Sequence, residues 1–410
     1  MKILIVSQYF WPESFIINDV AIKLVEQGHE IVVATGKPNY PEGKIFDGYQ
    51  AKGTTYELYM DRIEVVRAPL WPRGNGGATN LFLNYLSFVL SGLIYFPWML
   101  RNKKFDRILV FSPSPVTQVI PAIILKWIKR APLALWVQDL WPESLSATGF
   151  IKGKYQLKAV EVMVKILYAG CDLLLVQSRA FIDPVSHYAD RNKIIYYPNS
   201  IDATKENSEN PIPDELAREL EGHFCIVFAG NLGTAQSLDT VVQAADHLKN
   251  DPLLRIVLVG SGSQFDWLKR KKLDLRLDNL ILAGRFSMDQ MPQIFERSSA
   301  LLVSLKNDEI FSYTIPSKVQ AYLAAGRPII AALEGEGARV VNDSGAGLTC
   351  EPENVTALVS TIRKMSELPQ QKRNAMGLAG RAYFDENFDM ATQVESLVHL
   401  LEQSDGGSKG

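Results

Sequence analysis

Short apolar runs alternate with helical stretches along the first half of this chain. KILIVS at residues 2–7 and IVVAT at 31–35 are separated by an amphipathic segment from Asp19 to Gln27. Further runs of the same kind are RILVF at 107–111, LALWVQ at 133–138, LLLVQ at 173–177 and KIIYYP at 193–198. Nearly continuous apolar strands between helices are typical of a parallel sheet covered on both faces.

A polar segment at residues 199–214, rich in Asn, Ser and Glu and containing two prolines, interrupts this alternation. The alternation restarts with FCIVFAG at 224–230, RIVLVG at 255–260, LILAG at 280–284, ALLVSL at 300–305, PIIAAL at 328–333 and GLTCE at 347–351. A chain of 410 residues also exceeds the size at which one hydrophobic core stops growing. We therefore predict two Rossmann-like α/β domains, at residues 1–200 and 201–380.

Charge and cysteine usage exclude several classes of protein. The formal net charge of −2 argues against a nucleic-acid partner. The three cysteines lie far apart, which argues against a disulfide framework and a metal site and favours a reducing compartment. No metal is expected.

Two segments of the first half bear on membrane contact, namely the N-terminal residues and the segment at 81–100. Met1 and Lys2 lead directly into an apolar run too short for an export signal, so no signal peptide is expected. The segment at 81–100 is long enough to span a bilayer. It is interrupted at Asn84, Ser87, Ser91, Gly92 and Pro97. These interruptions favour a buried helix, or one lying on the membrane surface, over a spanning helix.

The tetrapeptide Trp-Pro-Glu-Ser occurs twice, each time beyond an apolar strand. Trp11 and Glu13 belong to the first copy, and Trp141 and Glu143 belong to the second, which follows Asp139. Ligands of doubly wound sheets bind at the carboxyl ends of the strands. Carboxylates there are candidates for acid–base chemistry or hydroxyl binding, and tryptophan faces suit sugar stacking. The alternative for the tryptophans is that they pack over the sheet edge. A partial repeat of this tetrapeptide, Leu70-Trp71-Pro72, follows another apolar strand.

Glycine-rich turns follow two strands of the second series. Gly230, Asn231 and Gly233 precede a helix that begins near Leu238, so backbone amides can point at an anion there. Gly260-Ser-Gly follows the next strand, but Phe265 occupies the third glycine position of a dinucleotide fingerprint. NAD binding is therefore poorly supported.

The segment from Asn307 to Ile330 carries the clearest anion-site signal. A polar loop leads through Pro316 and Ser317 into a helix with Lys318 in its first turn, a plausible diphosphate site. Arg285, directly after a strand, is a second candidate cation. The alternative for both cations is ordinary solvated surface charge.

Several motifs together resemble the retaining family 4 glycosyltransferases of the GT-B fold. They are Gly28-His29-Glu30, the run from Pro198 to Asp202, Gly260-Ser-Gly, the helix end from Ala321 to Pro328, and the region from Gly380 to Phe388. The resemblance covers nearly the whole chain. It implies two Rossmann-like parallel-sheet domains with an interdomain cleft, and a C-terminal helix, at 381–403, that crosses back onto the first domain. It also implies a nucleotide-sugar-dependent transfer with retention, without a metal or other cofactor.

A narrower resemblance is to bacterial transferases of O-antigen and capsule assembly, most like the N-acetyl-L-fucosamine transferases. The loops with Trp-Pro-Glu-Ser and the run from Thr314 to Lys318 carry it. It implies a UDP-linked, N-acetylated deoxy amino sugar as donor and a lipid-linked saccharide, on undecaprenyl diphosphate, as acceptor. Such an enzyme would lie peripherally on the cytoplasmic face of the membrane. The 81–100 segment and the basic runs at 101–104 and 126–130 would supply that surface, unless the segment is a core helix with a solvated end.

This chain departs from the family pattern at several positions. The family commonly has two glutamates seven residues apart where Ser312 and Gln320 stand. Gln320 is expected to bind the ribose, and the role of the first glutamate would pass to Glu309 or Asp308. Gln138-Asp139 replaces the usual catalytic-side histidine, and Asn231 and Gln236 replace an Arg and a Lys.

The site hypothesis then assigns roles to residues of both halves. The catalytic candidates are Asp139, Glu13 and Glu309. The nucleotide-sugar candidates are Gly230, Asn231, Gly233, Arg285, Tyr313, Thr314, Ser317, Lys318 and Gln320. The acceptor candidates are Trp11, Trp141 and Glu143. Two rival functions remain, a sugar-nucleotide epimerase on the same fold and a non-catalytic polysaccharide-assembly protein.

Overall fold

The computed structural model describes residues 1–74, 77–147, 151, 153–203 and 210–403. The chain divides into two compact units. The first comprises Met1–Asn199 together with the chain from Met390 onward, and the second comprises Ser200–Asp389.

The first unit is built on an eight-stranded sheet. Its strands are β1 (Lys2–Val6), β2 (Glu30–Thr35), β3 (Thr55–Tyr59), β4 (Ile63–Arg67), β5 (Arg107–Ser112), β6 (Leu133–Val137), β7 (Leu173–Val176) and β8 (Ile194–Tyr196). Their order is β3-β4-β2-β1-β5-β6-β7-β8. All neighbours pair in parallel except β3 and β4, which form an antiparallel edge that the parallel-sheet prediction lacked. Because β1 lies between β2 and β5, the loops that follow these strands meet at one sheet edge.

The helices of this part of the chain cover the sheet. They are α1 (Ile16–Glu26), α2 (Ala78–Met99), α3 (Val119–Lys129), α4 (Glu143–Ala147), α5 (Lys154–Ala169) and α6 (Ile182–Ser186). Short 3-10 turns lie at Val116–Gln118, Arg179–Phe181 and Arg191–Lys193. The apolar central strands are buried throughout, as a sheet covered on both faces requires.

The second unit has a six-stranded, wholly parallel sheet. Its strands are β9 (Phe224–Ala229), β10 (Leu254–Val259), β11 (Leu280–Gly284), β12 (Ala300–Ser304), β13 (Ile329–Ala332) and β14 (Gly347–Cys350), in the order β11-β10-β9-β12-β13-β14. Its helices are α7 (Asp214–Gly222), α8 (Leu238–Leu248), α9 (Phe265–Leu275), α10 (Met291–Arg297), α11 (Glu309–Ser312), α12 (Ser317–Ala324), α13 (Gly335–Asp343), α14 (Val355–Glu367) and α15 (Gln370–Asn387). Further 3-10 turns lie at Thr234–Gln236 and Met288–Gln290. This order is that of a Rossmann sheet.

The last helix, α16 (Met390–Gln403), returns to the first unit. Its buried side chains Met390, Val394, Leu397 and Leu401 join the core that contains Ile3 and Ile5 of β1. The predicted return of the C-terminal helix is confirmed, but it begins later than residue 381. Residues 381–387 still belong to α15, because Phe384 and Phe388 are buried in the second unit.

Helix α2 has one buried and one exposed apolar face. Inward, Gly92 packs so closely on α3 that a Cβ there would lie 2.9 Å from Pro121. Outward, large side chains recur every fourth residue, and we call this set the α2 stripe: Phe82, Leu86, Leu90, Ile94 and Trp98. By length and composition alone the helix is long and apolar enough to cross a membrane, since it has 22 residues and its most apolar 18-residue stretch has a mean hydropathy of 1.4. The most apolar part of the helix is only 28% buried.

Candidate functional site

The two glycine-rich turns of the second unit pack against each other and against Lys318. Gly230 has φ +131°, and a Cβ there would lie 2.7 Å from Cε of Lys318. Gly260 has φ +140°, and a Cβ there would lie 1.9 Å from the Gly230 carbonyl oxygen. Glycine is required at both positions by backbone conformation and by space. The turns after β9 and β10 and the start of α12 therefore form one cluster at the carboxyl edge of this sheet.

Lys318 is an ammonium group held in an unusual environment. Its Nζ lies 3.7 Å from the centroid of the Phe228 ring and donates a hydrogen bond to Oε1 of Gln236. Burial lowers the pKa of Lys318 to about 7. Within the part of the chain that the structure describes, no carboxylate forms an ion pair with it. A bound anion would restore the charge that burial disfavours.

Asn231 lies between the two turns. A Cβ on Gly233 would lie 2.8 Å from Nδ2 of Asn231, and one on Gly262 would lie 2.6 Å from its Oδ1. The structure thus brings Gly230, Asn231, Gly233 and Lys318 together, as the site hypothesis requires.

The loop before α12 forms a second feature of the same unit. Asp308 caps α11 by accepting a hydrogen bond from the Ile310 amide at 3.0 Å. The Tyr313 hydroxyl donates to Oε1 of Glu309 at 2.9 Å. A pocket of about 260 Å³ is lined here by residues that include Lys306, Asn307, Asp308, Glu309 and Phe311. Glu309 therefore lies on the wall of an open pocket and is held there by Tyr313.

The remaining nucleotide-sugar candidates are placed differently. Ser317 is exposed at the start of α12, and Thr314 is half-buried in the loop before it. Gln320 is buried on the inner face of α12, which places it away from solvent. Arg285 is exposed after the edge strand β11, and no contact between it and Lys318 occurs among the described residues. Arg285 and Lys318, the two cations that the sequence predicts for the diphosphate, therefore do not contact each other within the described residues.

In the first unit, the Glu13 carboxylate is buried and hydrogen-bonded to two loops, and it is not open to a ligand. It is 2% exposed. Its Oε1 accepts hydrogen bonds from the amides of Asn39 and Tyr40, both at 2.8 Å, and its Oε2 accepts from Phe10 at 3.2 Å. Burial raises the pKa of Glu13 to about 7 despite these three donors. The side chain joins the loop after β2 to the loop after β1.

Asp139 follows β6 and is the more accessible carboxylate. Trp141 Nε1 donates to its Oδ2 at 3.1 Å, and Ser114 and Ser144 also interact with it. Burial raises the pKa of Asp139 above its ordinary value. A raised pKa suits a group that must take up a proton.

The other aromatic and acidic candidates contact their own unit. Trp11 stacks on Tyr59 of β3, with ring centroids 5.2 Å apart, and is 37% exposed. Glu143 accepts a hydrogen bond from the Tyr188 hydroxyl at 3.2 Å. Trp11 therefore packs over the sheet edge and keeps an exposed face, and its stacking on a sugar stays a prediction.

A buried polar network at the same sheet edge escaped sequence reasoning. Gln8 donates to Oδ1 of Asn84 at 2.7 Å, and Gln118 accepts from the Gln8 amide at 2.8 Å. Arg73 donates to the Tyr9 hydroxyl at 2.9 Å. The sequence feature that indicates this network is the partial repeat at Trp71-Pro72. Arg73 occupies there the position that Glu13 and Glu143 take in the other two loops.

Among the described residues, no group of three or more His, Cys, Asp or Glu side chains is arranged to hold a metal ion.

Comparisons with known proteins bear on the identity of this arrangement. The sequence model of the family "Glycosyl transferases group 1" matches residues 214–383, which include both glycine-rich turns and Lys318. The "Putative colanic acid biosynthesis glycosyl transferase WcaI" of Escherichia coli K12 is 26% identical over 404 residues, covering 94% of this chain and 97% of its own length. The "Probable glycosyltransferase WbjE" of Pseudomonas aeruginosa is 22% identical, covering 80% of this chain and 82% of its own.

The chain is a glycosyltransferase with the GT-B fold.

Solved structures support the fold of this glycosyltransferase. Anabaena HepE, solved in complex with UDP, superimposes with a TM-score of 0.69 and 14% identity, covering 98% of this chain and all of HepE. Sucrose-phosphate synthase from Thermosynechococcus elongatus gives a TM-score of 0.72 at 14% identity, covering 99% and 100%. The predictions of fold class and of a glycosyltransferase enzyme are confirmed, which sets aside the non-catalytic alternative.

Proposed function

We propose that this glycosyltransferase moves a sugar from a UDP-sugar to a lipid-linked saccharide during surface polysaccharide assembly. The observation that carries the proposal is Lys318, a partly buried ammonium without a carboxylate partner among the described residues, in contact with the glycine turn after β9. Glycine amides and a lysine are a common way to bind a diphosphate. UDP as the nucleotide is supported by the HepE complex.

The second unit is proposed to hold the donor. Gly230, Asn231 and Gly233 present backbone to the diphosphate, Lys318 neutralises its charge, and Arg285 adds a longer-range positive field. Tyr313, Thr314 and Ser317 remain candidates for the nucleoside and sugar, whereas Gln320 is buried on the inner face of α12 and is not proposed as a direct contact. Departure of the diphosphate builds negative charge, and preorganised donors stabilise such charge most effectively. No metal or other cofactor is proposed for this step.

The first unit is proposed to hold the acceptor. The bond between the anomeric carbon and the diphosphate oxygen breaks, and a bond from that carbon to the acceptor oxygen forms on the same face, so configuration is retained. UDP leaves with the bonding electron pair. Asp139 takes the proton from the acceptor hydroxyl, while Trp11, Trp141 and Glu143 contact the acceptor saccharide. Glu13 keeps the two neighbouring loops in place, and Glu309 faces the sugar from the donor side.

The donor sugar is proposed to be an N-acetylated deoxy amino sugar such as N-acetyl-L-fucosamine. This rests on the resemblance of the Trp-Pro-Glu-Ser loops and of residues 314–318 to transferases of that type. The names of the two curated relatives, one of them from colanic acid biosynthesis, agree with a polysaccharide role.

The acceptor lipid is proposed to be undecaprenyl diphosphate, met at the cytoplasmic face of the membrane. Exposed apolar side chains of the α2 stripe are joined by Trp127 and Ile128 of α3, which are 74% and 52% exposed. The basic ends of both helices meet, because Lys129 Nζ donates to the Leu100 and Lys103 carbonyl oxygens at 2.5 and 2.9 Å. Apolar surface with a basic flank suits an anionic lipid surface, with α2 lying in its plane.

The donor assignment is tested by thermal shift with a panel of nucleotides and nucleotide sugars. A ligand that binds only the native state raises its melting temperature. UDP and a UDP-linked amino sugar are expected to stabilise the protein more than GDP, ADP or their sugars. Equal or greater stabilisation by another nucleotide would contradict the proposal. Incubation of the stabilising sugar nucleotide with a lipid-linked saccharide should give a lengthened saccharide and UDP, whereas an altered sugar nucleotide formed without acceptor would indicate an epimerase.

The membrane assignment is tested by flotation with vesicles of phosphatidylcholine and phosphatidylglycerol. The double variant Leu90→Glu/Ile94→Glu is expected to lose most vesicle binding while retaining UDP affinity. Leu273→Glu changes a leucine of the second unit that is 76% exposed, more than Leu90 or Ile94, and serves as the control. Unchanged flotation of the double variant would exclude the α2 stripe as the membrane surface.

A further inference from the structure

Arg73 occupies a defined position in the loop after β4. Its amide donates to Oδ1 of Asn39 at 3.1 Å. Two residues earlier, the Trp71 amide donates to Ser87 at 2.9 Å, and the Trp71 carbonyl accepts from Asn84 at 2.6 Å. The loop is thereby fixed to the first turns of α2 and to the loop after β2, so the guanidinium is presented from a rigid support.

The guanidinium of Arg73 lies over aromatic rings and has no counter-ion among the residues that the structure describes. Its central carbon is 5.1 Å from the centroid of Tyr40 and 5.8 Å from that of Tyr9. Within the described ranges, its only hydrogen-bond acceptor is the Tyr9 hydroxyl, and no carboxylate pairs with it. The side chain is half-buried, and a partly desolvated charge without a partner is costly. An arginine has several N–H donors in a planar fork that matches phosphate or carboxylate oxygens, so unused donors remain for an anion.

A chain of side-chain interactions joins Arg73 to Asp139. Arg73 contacts Tyr9, Tyr9 interacts with Tyr85, Tyr85 interacts with Ser114, and Ser114 interacts with Asp139. Arg73, Tyr9, Ser114 and Asp139 lie in the loops after β4, β1, β5 and β6, Tyr85 lies on α2, and all of them belong to the first unit. An anion at Arg73 would therefore lie on the same polar surface as the proposed base.

On its other side, Arg73 adjoins exposed apolar surface. Trp71 is 53% exposed and is bonded through its backbone to the part of α2 where the stripe begins with Phe82 and Leu86. The apolar side chains of the α2 stripe, the Arg73 guanidinium and the Asp139 carboxylate therefore follow one another along the first unit. An amphipathic acceptor has its parts in that order, with an apolar chain, an anionic group and a sugar hydroxyl.

We propose that Arg73 is the anion-binding residue of the acceptor site. This rests on the proposed function and assigns to Arg73 the recognition of a negative group on the acceptor. Two sources of that charge share the same chemistry, the diphosphate that joins lipid to sugar and the carboxylate of an acidic sugar. Arg73 donates hydrogen bonds to the anion and so positions the acceptor hydroxyl near Asp139. It is a positioning residue and exchanges no proton.

The test measures binding of four probes to the full-length protein saturated with UDP, which keeps the donor site occupied. Geranyl diphosphate and geraniol share the apolar chain and differ in the anion. Methyl glucuronide and methyl glucoside share the sugar ring and differ in the carboxylate. Wild type is compared with Arg73→Met, which keeps the length of the side chain, with Arg73→Lys, and with Arg62→Met, an exposed arginine of the same unit whose loss matches the change in net charge.

Arg73→Met is expected to bind geranyl diphosphate at least about tenfold more weakly than wild type, the loss expected for a charge-assisted hydrogen bond, with geraniol unaffected. The affinity of Arg73→Lys for geranyl diphosphate should lie between those of wild type and Arg73→Met, and that of Arg62→Met should match wild type. A selective loss of glucuronide binding instead would identify the carboxylate as the source. Equal binding of both anionic probes by wild type and Arg73→Met would overturn the inference.

Two measurements separate this outcome from other failures. UDP affinity and melting temperature of Arg73→Met should equal those of wild type, because the donor residues lie in the second unit. Failure of the wild type to bind UDP would contradict the proposed donor. If UDP binds normally but wild type and Arg73→Met bind the anionic probes equally well, only the Arg73 assignment is contradicted.

Discussion

Gly230 and Lys318 lie so close that any side chain at residue 230 would displace the lysine. A Cβ on Gly230 would come within 2.7 Å of Lys318 Cε, and φ at this glycine is +131°. The contact joins the end of β9 to the start of α12 and confines the ammonium between a glycine turn and the Phe228 ring.

Gly230→Ala is expected to weaken UDP binding by at least about tenfold, since an L side chain both strains the backbone and pushes Lys318 aside. Isothermal titration with UDP measures the effect. Gly222→Ala, at the end of α7, meets no atom within 4 Å and should leave UDP binding unchanged. Wild-type affinity in Gly230→Ala would show that the turn does not contact the nucleotide.

Lys318→Met should lower UDP affinity by roughly 10- to 100-fold, the range expected for losing charge-assisted hydrogen bonds to phosphate. The melting temperature without ligand should fall little or rise, because an apolar chain of similar length replaces a desolvated charge. Lys249→Met removes an exposed lysine of the same unit and is the control. Equal UDP affinity in the two variants would contradict the assignment of Lys318.

UDP binding should weaken as pH rises through neutrality. Burial lowers the pKa of free Lys318 to about 7, whereas a bound diphosphate favours the charged form and raises that pKa. Binding above about pH 7 therefore requires uptake of a proton, and affinity should fall by up to about tenfold per pH unit. Titration calorimetry in buffers of different ionisation enthalpy counts that proton. Lys318→Met should lose this part of the pH dependence, and a slope retained in the variant would assign it to another group.

Asp139→Asn should reduce the rate of sugar transfer by about 10²- to 10⁴-fold, the usual contribution of a general base. UDP affinity should not change, because the donor residues belong to the other unit. Single-turnover transfer with saturating donor separates chemistry from binding. A variant that transfers sugar at the wild-type rate would remove Asp139 from the mechanism.

Glu13 should make the first unit less stable as pH rises from about 4.5 to about 7. Its folded pKa is raised to about 7 from an ordinary 4.5, so the native state holds a proton that the unfolded state has released in this range. The unfolded state binds fewer protons there, and the free energy of unfolding declines until both forms are ionised. Glu13→Gln should flatten this part of the profile in urea denaturation at several pH values. An identical profile in the variant would show that Glu13 is ionised in the folded protein.

The positions of most strands, the polar segment at 199–214 and the glycine turns could be predicted from the sequence. Each depends on local properties, namely the spacing of apolar residues, the conformational freedom of glycine and the polarity of a linker. The return of the last helix came from a family resemblance, while its true start at Met390 depends on Phe384 and Phe388 being buried in the second unit. The antiparallel edge strand β3 was missed because TYELY at 55–59 is largely exposed and lacks a continuous apolar run.

Only the tertiary structure decided which side chains meet. Glu13 and Glu143 have equivalent positions in the two Trp-Pro-Glu-Ser loops, yet Glu13 is enclosed by the backbone amides of another loop, whereas Glu143 accepts a hydrogen bond from the Tyr188 hydroxyl. Arg73 reaches the network of Asp139 because the order of strands brings the loops after β4, β1 and β5 to one edge. Strand order is fixed by the packing of the whole sheet, and no local pattern of residues encodes it. The sequence therefore determined the elements and their chemistry, and folding determined which of these groups became neighbours.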